Sequence, residues 1–389
     1  VIPMLPEKLS NDLCSLNANT KKLTLSCEII LDKNGIVTSS KVYNSVIKSS
    51  YRLTYKEVEK IFLKQLSLGD ELSFGGLITP GLINAINFSY ELKRIINKNK
   101  QKLGVLNFDF DETKVILDEK NNPIDIIKYE RLESHKVIEE FMILANENIG
   151  YLFSKIPFLY RVHETPDEED IEKFKKILAS FDIILPYKEI NPILISDILE
   201  KINSHPKKMM LSKIILRSLK KANYSQNNLG HFGLALDFYS HFTSPIRRYA
   251  DLQIHRIIKE YLQKNKLEKS RISHYKENLE EISKHISETE VKSEKLEYAV
   301  RDLMIAKYYK DKIGEEFEGI ISGMIPIGFF VVLDNSAEGL VSLEDFLNQQ
   351  KYKKYKFEDD ILKLTFENNF SLQVGDKIKI KISIVDLET

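Results

Sequence analysis

Near Gly314 the hydrophobic period of the chain changes, and the two sides cannot fold alike. Before it, residues 268–310 are rich in Glu and Lys and read as one long or broken helix. After it, from Phe317 onward, short apolar and polar alternations are punctuated by Gly319, Gly323, Gly328 and Gly339. That pattern predicts a small β-barrel over 313–389. Upstream, strand-like and helix-like stretches mix. The fold class expected is therefore α+β: a mixed α/β domain over 1–312, then a small all-β barrel.

Alternation through Leu23, Leu25 and Cys27, with a turn at Lys33-Asn34-Gly35, predicts strand structure over 22–47. Thr54 caps a helix through Val58, Ile61 and Phe62; Thr79-Pro80 opens another that ends in a basic run from Lys93 to Lys102. Strands are expected from Val105 to Leu117 and again from Ile124, with a turn at Lys120-Asn121-Asn122-Pro123. Val137, Phe141, Leu144 and Ile149 mark a helix over 131–152. Thr165-Pro166 with Asp167, Glu168 and Glu169 marks a helix start whose acids suit the positive end of its dipole. Helices are also expected over 207–221 and 245–265.

The chain has 389 residues with 57 Lys+Arg against 57 Asp+Glu, so any polyanion-binding surface must be local. No apolar run approaches the roughly 18 residues of a membrane span. Cys14 and Cys27 are too few for a disulfide framework or a four-thiolate zinc site, and they read as two reduced, buried thiols of a cytoplasmic protein. Val1-Ile2-Pro3-Met4-Leu5 resembles neither a coding start nor a signal peptide, and both ends read as cut from a longer polypeptide.

The local basic surface falls at 211–260, where eight Lys/Arg stand against three acids. Within it, Thr243-Ser244-Pro245 reads as a helix start, with Ser244 as N-cap. Arg247 and Arg248 would then occupy the first turn, a pole that disfavours cations. Two readings stay open: the pair gathers a phosphate, or Arg247 bridges Asp251 one turn on. Paired acids occur at Asp109, Asp111 and Glu112, where alternation puts both Asp on one strand face. They could hold magnesium or simply charge a strand edge. His231, His241 and His255 are spaced too widely for a zinc motif.

The stretch HFGLALDFYSHFTSPIRRYADLQIHR, from His231 to Arg256, closely resembles the signature of the ribonuclease II/ribonuclease R (RNB) family of hydrolytic 3′→5′ exoribonucleases. VIPMLPEKLSNDLCSLN at 1–17, YRLTYKEV at 51–58, SHKVIEEFMILAN at 134–146, YRVHETPD at 160–167 and LRSLKKANYS at 216–225 extend the resemblance, on its ribonuclease R side. It implies a funnel that admits single-stranded RNA with a free 3′ end, and magnesium-dependent release of nucleoside 5′-monophosphates. Arg247 would hold phosphates near the scissile bond, with Glu140 and Glu297 near the terminal nucleotide. Phe108 would be half of an aromatic clamp and Tyr55 a second stacking ring, with His231, His241 and Arg248 as further RNA contacts. LEYAVRD departs from the family's AERD-type wording, which would place its Glu at Val300. The family's magnesium-binding Asp run would lie upstream of Val1, which makes the 109–112 knot a decoy and leaves no metal ligand assigned in this chain. Residues 313–389 resemble an OB-fold RNA-binding domain of ribosomal-protein S-one type, with Phe329 and Phe330 as RNA-contact candidates. As neighbours on a strand, at most one of them can face solvent. The last strand of such a barrel would lie beyond Thr389. A different class, a non-catalytic RNA-binding protein that keeps the funnel, is the alternative.

Overall fold

Asp32 decides where the first hairpin turns. Its carboxylate accepts the N–H groups of Asn34 and Ile36, and Gly35, at φ +77, supplies the left-handed residue. The flanking strands, β1 (Lys21–Leu31) and β2 (Val37–Lys48), pair antiparallel. The computed structural model describes residues 4–108, 112–184, 190–205, 207–352, 354–358 and 361–387.

Thr54 caps α1 (Tyr55–Phe62) through a reciprocal pair: the Glu57 N–H donates to Thr54 Oγ1, and the Thr54 N–H donates to the Glu57 carboxylate. Thr79 caps α2 (Pro80–Lys102), with proline at its first position as expected. A second hairpin joins β3 (Glu112–Leu117) to β4 (Pro123–Tyr129). Residues 105–108 of the strand predicted from Val105 carry no strand pairing, and the described strand runs from Glu112. The Leu106 N–H bonds to the Gly233 carbonyl instead of a ladder partner. Helix α3 (Glu133–Leu152) and the short β5 (Tyr160–Val162) precede α4 (Glu168–Ala179), α5 (Pro192–Ile202) and α6 (Lys208–Ser218). Strand β6 (Asn223–Ser225) returns to pair with β5. Helix α7 (Tyr249–Lys264) is followed by α8 (Lys269–Lys310), one unbroken helix of 42 residues. No described helix is long and apolar enough to cross a membrane.

The chain forms two compact units that do not follow sequence order. One holds residues through Leu106, Arg131–Glu164 and Lys221–Thr289; the other holds Asn107–Glu130, Thr165–Lys220 and Glu290–Thr389. In the first, Ile254, Ile257 and Ile258 of α7 bury against Ile149 of α3 and against Phe158 and Leu159. Each such side chain contributes roughly 1.5–3 kcal/mol relative to exposure. Packing of that one face therefore outweighs helix propensity in holding α7. Leu25, Cys27 and Val42 lay one face of the first hairpin on the same core. Burial pushes the Cys27 thiol up to about 11. Cys14, expected inside, is exposed, because the short helical segment around it buries no residue.

In the second unit, β7 (Glu316–Ile325), β8 (Gly328–Leu333) and β9 (Glu338–Ser342) form a meander, followed by α9 (Leu343–Gln350). A small three-stranded sheet of β10 (Tyr355–Glu358), β11 (Lys363–Phe366) and β12 (Ser371–Gln373) comes next. Strand β13 (Lys377–Lys381) then returns to β7, which gives a four-stranded order β13-β7-β8-β9. Gly328 lets β8 run against β9, since a Cβ there would strike the Val341 carbonyl.

Candidate nucleic-acid interface

Asp251, fully buried in the first turn of α7, organises the chain before that helix. Its Oδ1 accepts the Ser244 N–H at 2.7 Å; Arg248 donates through Nε to Oδ2 at 2.8 Å and through Nη2 to Oδ1 at 2.9 Å. A forked guanidinium on a carboxylate fixes direction as well as charge. Residues 244–248 are thereby held as a turn, with the N–H groups of Arg247 and Arg248 both on the Ser244 carbonyl. Helix α7 starts at Tyr249 with Arg248 at its cap, so the expected start at Ser244 is four residues early. Neither arginine sits in the first helical turn; the acid does, at the pole that favours it. The partner of Asp251 is Arg248 and not Arg247. Arg247 is exposed, and among the described residues no hydrogen bond or ion pair holds its guanidinium.

A second clamp holds the preceding segment. Asn146 of α3 is buried, and its Oδ1 accepts the Phe242 N–H at 2.9 Å. Its Nδ2 donates to the Tyr239 hydroxyl at 3.2 Å, and its carbonyl accepts the Ser240 N–H. Gly150, one turn further along α3, permits the approach: a Cβ there would lie 3.2 Å from the Tyr239 nitrogen. Between clamp and turn lies a cavity of about 210 Å³. Its lining includes the apolar Met142, Ile143 and Leu234 and the polar Tyr239, Ser244 and Arg247.

His231 and His241 sit in a ring array behind this segment, not in the cavity wall. His231 Nδ1 accepts the Leu234 N–H, and His241 Nδ1 is bonded to the Tyr224 hydroxyl at 2.8 Å. Tyr239 packs edge-on between them, 5.2 Å from His231 and 5.6 Å from His241. Burial first, then His163 and Arg161, pushes His231 down to about 3. Burial, then Arg248 and Arg161, pushes His241 down to about 2. One nitrogen of each ring serves the fold, and the lowered proton affinity favours neutral imidazoles. A stability consequence follows. In the unfolded chain both titrate near 6.5. Below that pH the unfolded state takes up protons that the folded state refuses, so stability falls as pH drops from 7 toward 3. Thermal melts at pH 7.0 and 5.5 should show a lower midpoint at 5.5, with a smaller drop for His241→Asn. An equal drop in the variant would count against this origin.

The other expected site residues scatter. Tyr55, at the start of α1, is exposed, its ring 4.1 Å from that of His135. Glu140 turns toward α2: Lys100 Nζ lies 2.5 Å from its Oε2, and Asn97 Nδ2 3.4 Å from its Oε1. It does not line the cavity that Arg247 lines. Lys93 likewise pairs with Glu133 at 2.8 Å, so two cations of the 93–102 run are bound within the fold. Phe108 is half-buried in a stretch with no regular hydrogen bonding, not on a strand.

Glu297 belongs to the second unit, where it is exposed on α8. With Tyr298, Arg301 and Phe330 it lines a cavity of about 1110 Å³ against the four-stranded sheet. Phe329 is 0% exposed and packs edge-on against Phe346. It is a core residue, which corrects its assignment as an RNA contact and leaves Phe330 as the half-buried neighbour. Asp109 and Asp111 lie outside the described residues. Among the described residues no three His, Cys, Asp or Glu converge as a metal site, so these residues do not fit a magnesium ion.

Sequence reasoning missed Asn146 and Tyr239. A signal for the first was present: MILANENIG places amides inside the apolar run of α3, where an unsatisfied polar group is costly. Tyr239 carries no such mark, because a tyrosine in an aromatic-rich loop looks like packing.

The sequence profile of the RNB domain matches residues 1–264, and that of the S1 RNA binding domain matches residues 310–389. Ribonuclease R of Aquifex aeolicus is 37% identical over 391 residues, covering 99% of this chain and 53% of that protein. Ribonuclease R of Escherichia coli is 33% identical over 399 residues, covering 100% of this chain and 48% of that protein. The chain spans about half the length of the curated relatives it matches. Among solved structures, Mycoplasma genitalium RNase R in complex with ribose methylated single-stranded RNA superposes with a TM-score of 0.90 at 30% identity. That match covers 99% of this chain and 59% of the other.

Proposed function

This chain belongs to the RNB-domain family, and from that premise we propose that it is the RNA-gripping part of a hydrolytic 3′→5′ exoribonuclease. The full-length protein would degrade single-stranded RNA processively from a free 3′ end and release nucleoside 5′-monophosphates, in the cytoplasm and with magnesium. Residues 1–312 would form the catalytic domain and 313–389 the RNA-binding OB-fold. One observation carries this reading: Arg247 is exposed and unclaimed at the edge of a cavity, on a turn that Asp251 and Asn146 lock from both sides. An arginine held ready but unpaired is suited to an incoming phosphate, which its planar fork can meet through two oxygens.

In this reading Arg247 binds the phosphate next to the bond to be broken, and Arg248, spent on Asp251, positions it. Tyr55 offers an exposed π-face to a base, which binds any sequence because every base has such a face. Phe330 and the cavity beside it would receive RNA in the second unit. Magnesium would supply Lewis acidity and an activated water. The described residues hold no ligand set for it, and no step is derived through it.

The test uses the full-length protein on single-stranded RNA labelled at either end. Monophosphates released from the 3′ end first are expected; internal cuts, or binding without release, would refute the proposal. The 389-residue chain alone should bind single-stranded RNA without magnesium-dependent hydrolysis. Its affinity should fall about tenfold or more between 50 and 200 mM salt if three or more phosphates are contacted at a slope of about −0.7 each. Salt-independent binding would point to a different interface.

A further inference from the structure

The 210 Å³ cavity beside Arg247 contains more hydrogen-bond donors than the fold uses. Tyr239 lines it while only 7% exposed, and its hydroxyl oxygen already accepts the Asn146 amide proton at 3.2 Å. That acceptance leaves the phenolic proton to be donated, and no described residue receives it. The hydroxyls of Thr243 and Ser244 line the same cavity, also without an acceptor among the described residues. The Ser244 backbone N–H is spent on Asp251, which fixes where its side chain starts. Arg247 completes the set. A carboxylate is also present in the wall: Glu139, which Arg131 meets at 2.5 Å.

Of these groups Tyr239 is buried, Thr243 and Ser244 are half-buried and Arg247 is exposed, so a ligand that supplies acceptor oxygens would meet one donor shielded from water and others that it takes over from solvent. Met142, Ile143 and Leu234 add apolar surface to the lining, with Glu139 one turn before Met142 and Ile143 on α3. A ligand with one anionic, acceptor-rich end and one apolar end finds partners of both kinds in this lining.

We propose that Tyr239 and Ser244, with Arg247, form a cradle for the phosphate oxygens of a nucleotide, Tyr239 donating its hydroxyl proton to one of them. The proposal rests on the exoribonuclease reading for the identity of the nucleotide, and it adds two binding residues that reading does not name. The Asn146 amide has a specific part in it. By occupying the tyrosine's acceptor lone pair, it orients the O–H away from α3. Tyr239 stays protonated throughout, since burial first of all pushes its phenol upward from the ordinary range.

The experiment titrates the 389-residue chain with adenosine 5′-monophosphate, inorganic phosphate and adenosine by calorimetry. It compares wild type with Tyr239→Phe, Ser244→Ala and Arg247→Ala. Loss of a hydrogen bond to a charged group should weaken AMP binding by Tyr239→Phe about tenfold or more. Adenosine, which lacks the phosphate, should be unaffected. Phenylalanine keeps the ring between His231 and His241, and Ser244→Ala, on the turn, provides a second variant whose folding does not depend on that ring. Unchanged AMP affinity in both Tyr239→Phe and Ser244→Ala overturns the cradle; so does an equal loss for AMP and adenosine. If Arg247→Ala alone weakens AMP, the cradle is wrong and the exoribonuclease reading survives. If none of the three variants alters AMP binding, the phosphate reading of Arg247 fails as well.

Discussion

Arg247→Ala in the full-length protein is expected to lower the rate of hydrolysis about 100- to 1,000-fold, the usual range for losing one preorganised donor at developing negative charge. RNA affinity should change far less, because many phosphate contacts share the binding. The structural basis is that nothing in the fold spends the Arg247 side chain, so its removal costs no packing or ion pair among the described residues. Arg247→Lys should recover only a small part, since an ammonium cannot offer two parallel donors. Single-turnover kinetics and filter binding separate the two effects. Equal losses in rate and affinity, or no loss in rate, would remove Arg247 from the chemistry.

Asp251→Ala should act on the fold. Asp251 is 0% exposed and bound to Arg248 through both oxygens as well as to the Ser244 N–H. Removing Asp251 leaves the Ser244 N–H and the partly exposed Arg248 guanidinium without their acceptor, at a cost of about 1–3 kcal/mol. The measurement is the urea midpoint, with an unchanged slope showing that stability alone has moved. Asp251→Ala with Arg248→Met should recover much of the loss, because the stranded charge is gone. A single variant within 1 kcal/mol of wild type would show that the pair does not hold the turn.

These two residues also mark how far the linear sequence could be read. The run TSPIRRYAD displayed two arginines and an aspartate within five residues, and general rules about helix starts placed all of them on one helix. Local rules were sufficient where the partners were local: the Thr54 cap, the Asp32 turn and the Thr79-Pro80 start all close within four residues. They failed at 244–248 because the buried Asp251 carboxylate, seven residues after Ser244, holds the Ser244 N–H and the Arg248 guanidinium, and the helix begins only at Tyr249. Phe108 failed similarly, since the neighbouring backbone is tied to Gly233, more than a hundred positions away. Glu140 was expected near a terminal nucleotide and Lys100 lay within a basic run, and only the packing of α2 on α3 paired them.

The amino-acid order by itself determined the change of period at Gly314, the strand alternation beyond it and the concentration of cations around Arg247, because each is a property of neighbouring residues. It determined the family as well, through the length and wording of HFGLALDFYSHFTSPIRRYADLQIHR. Tertiary structure decided which of two adjacent arginines is free, which of two adjacent phenylalanines is buried, and that an asparagine on α3 directs a tyrosine across the loop. Those outcomes depend on which buried polar group reaches a partner and which side chain the core admits. Both are settled by residues distant in sequence, since desolvation is charged to a group by whatever surrounds it and not by what precedes it in the chain.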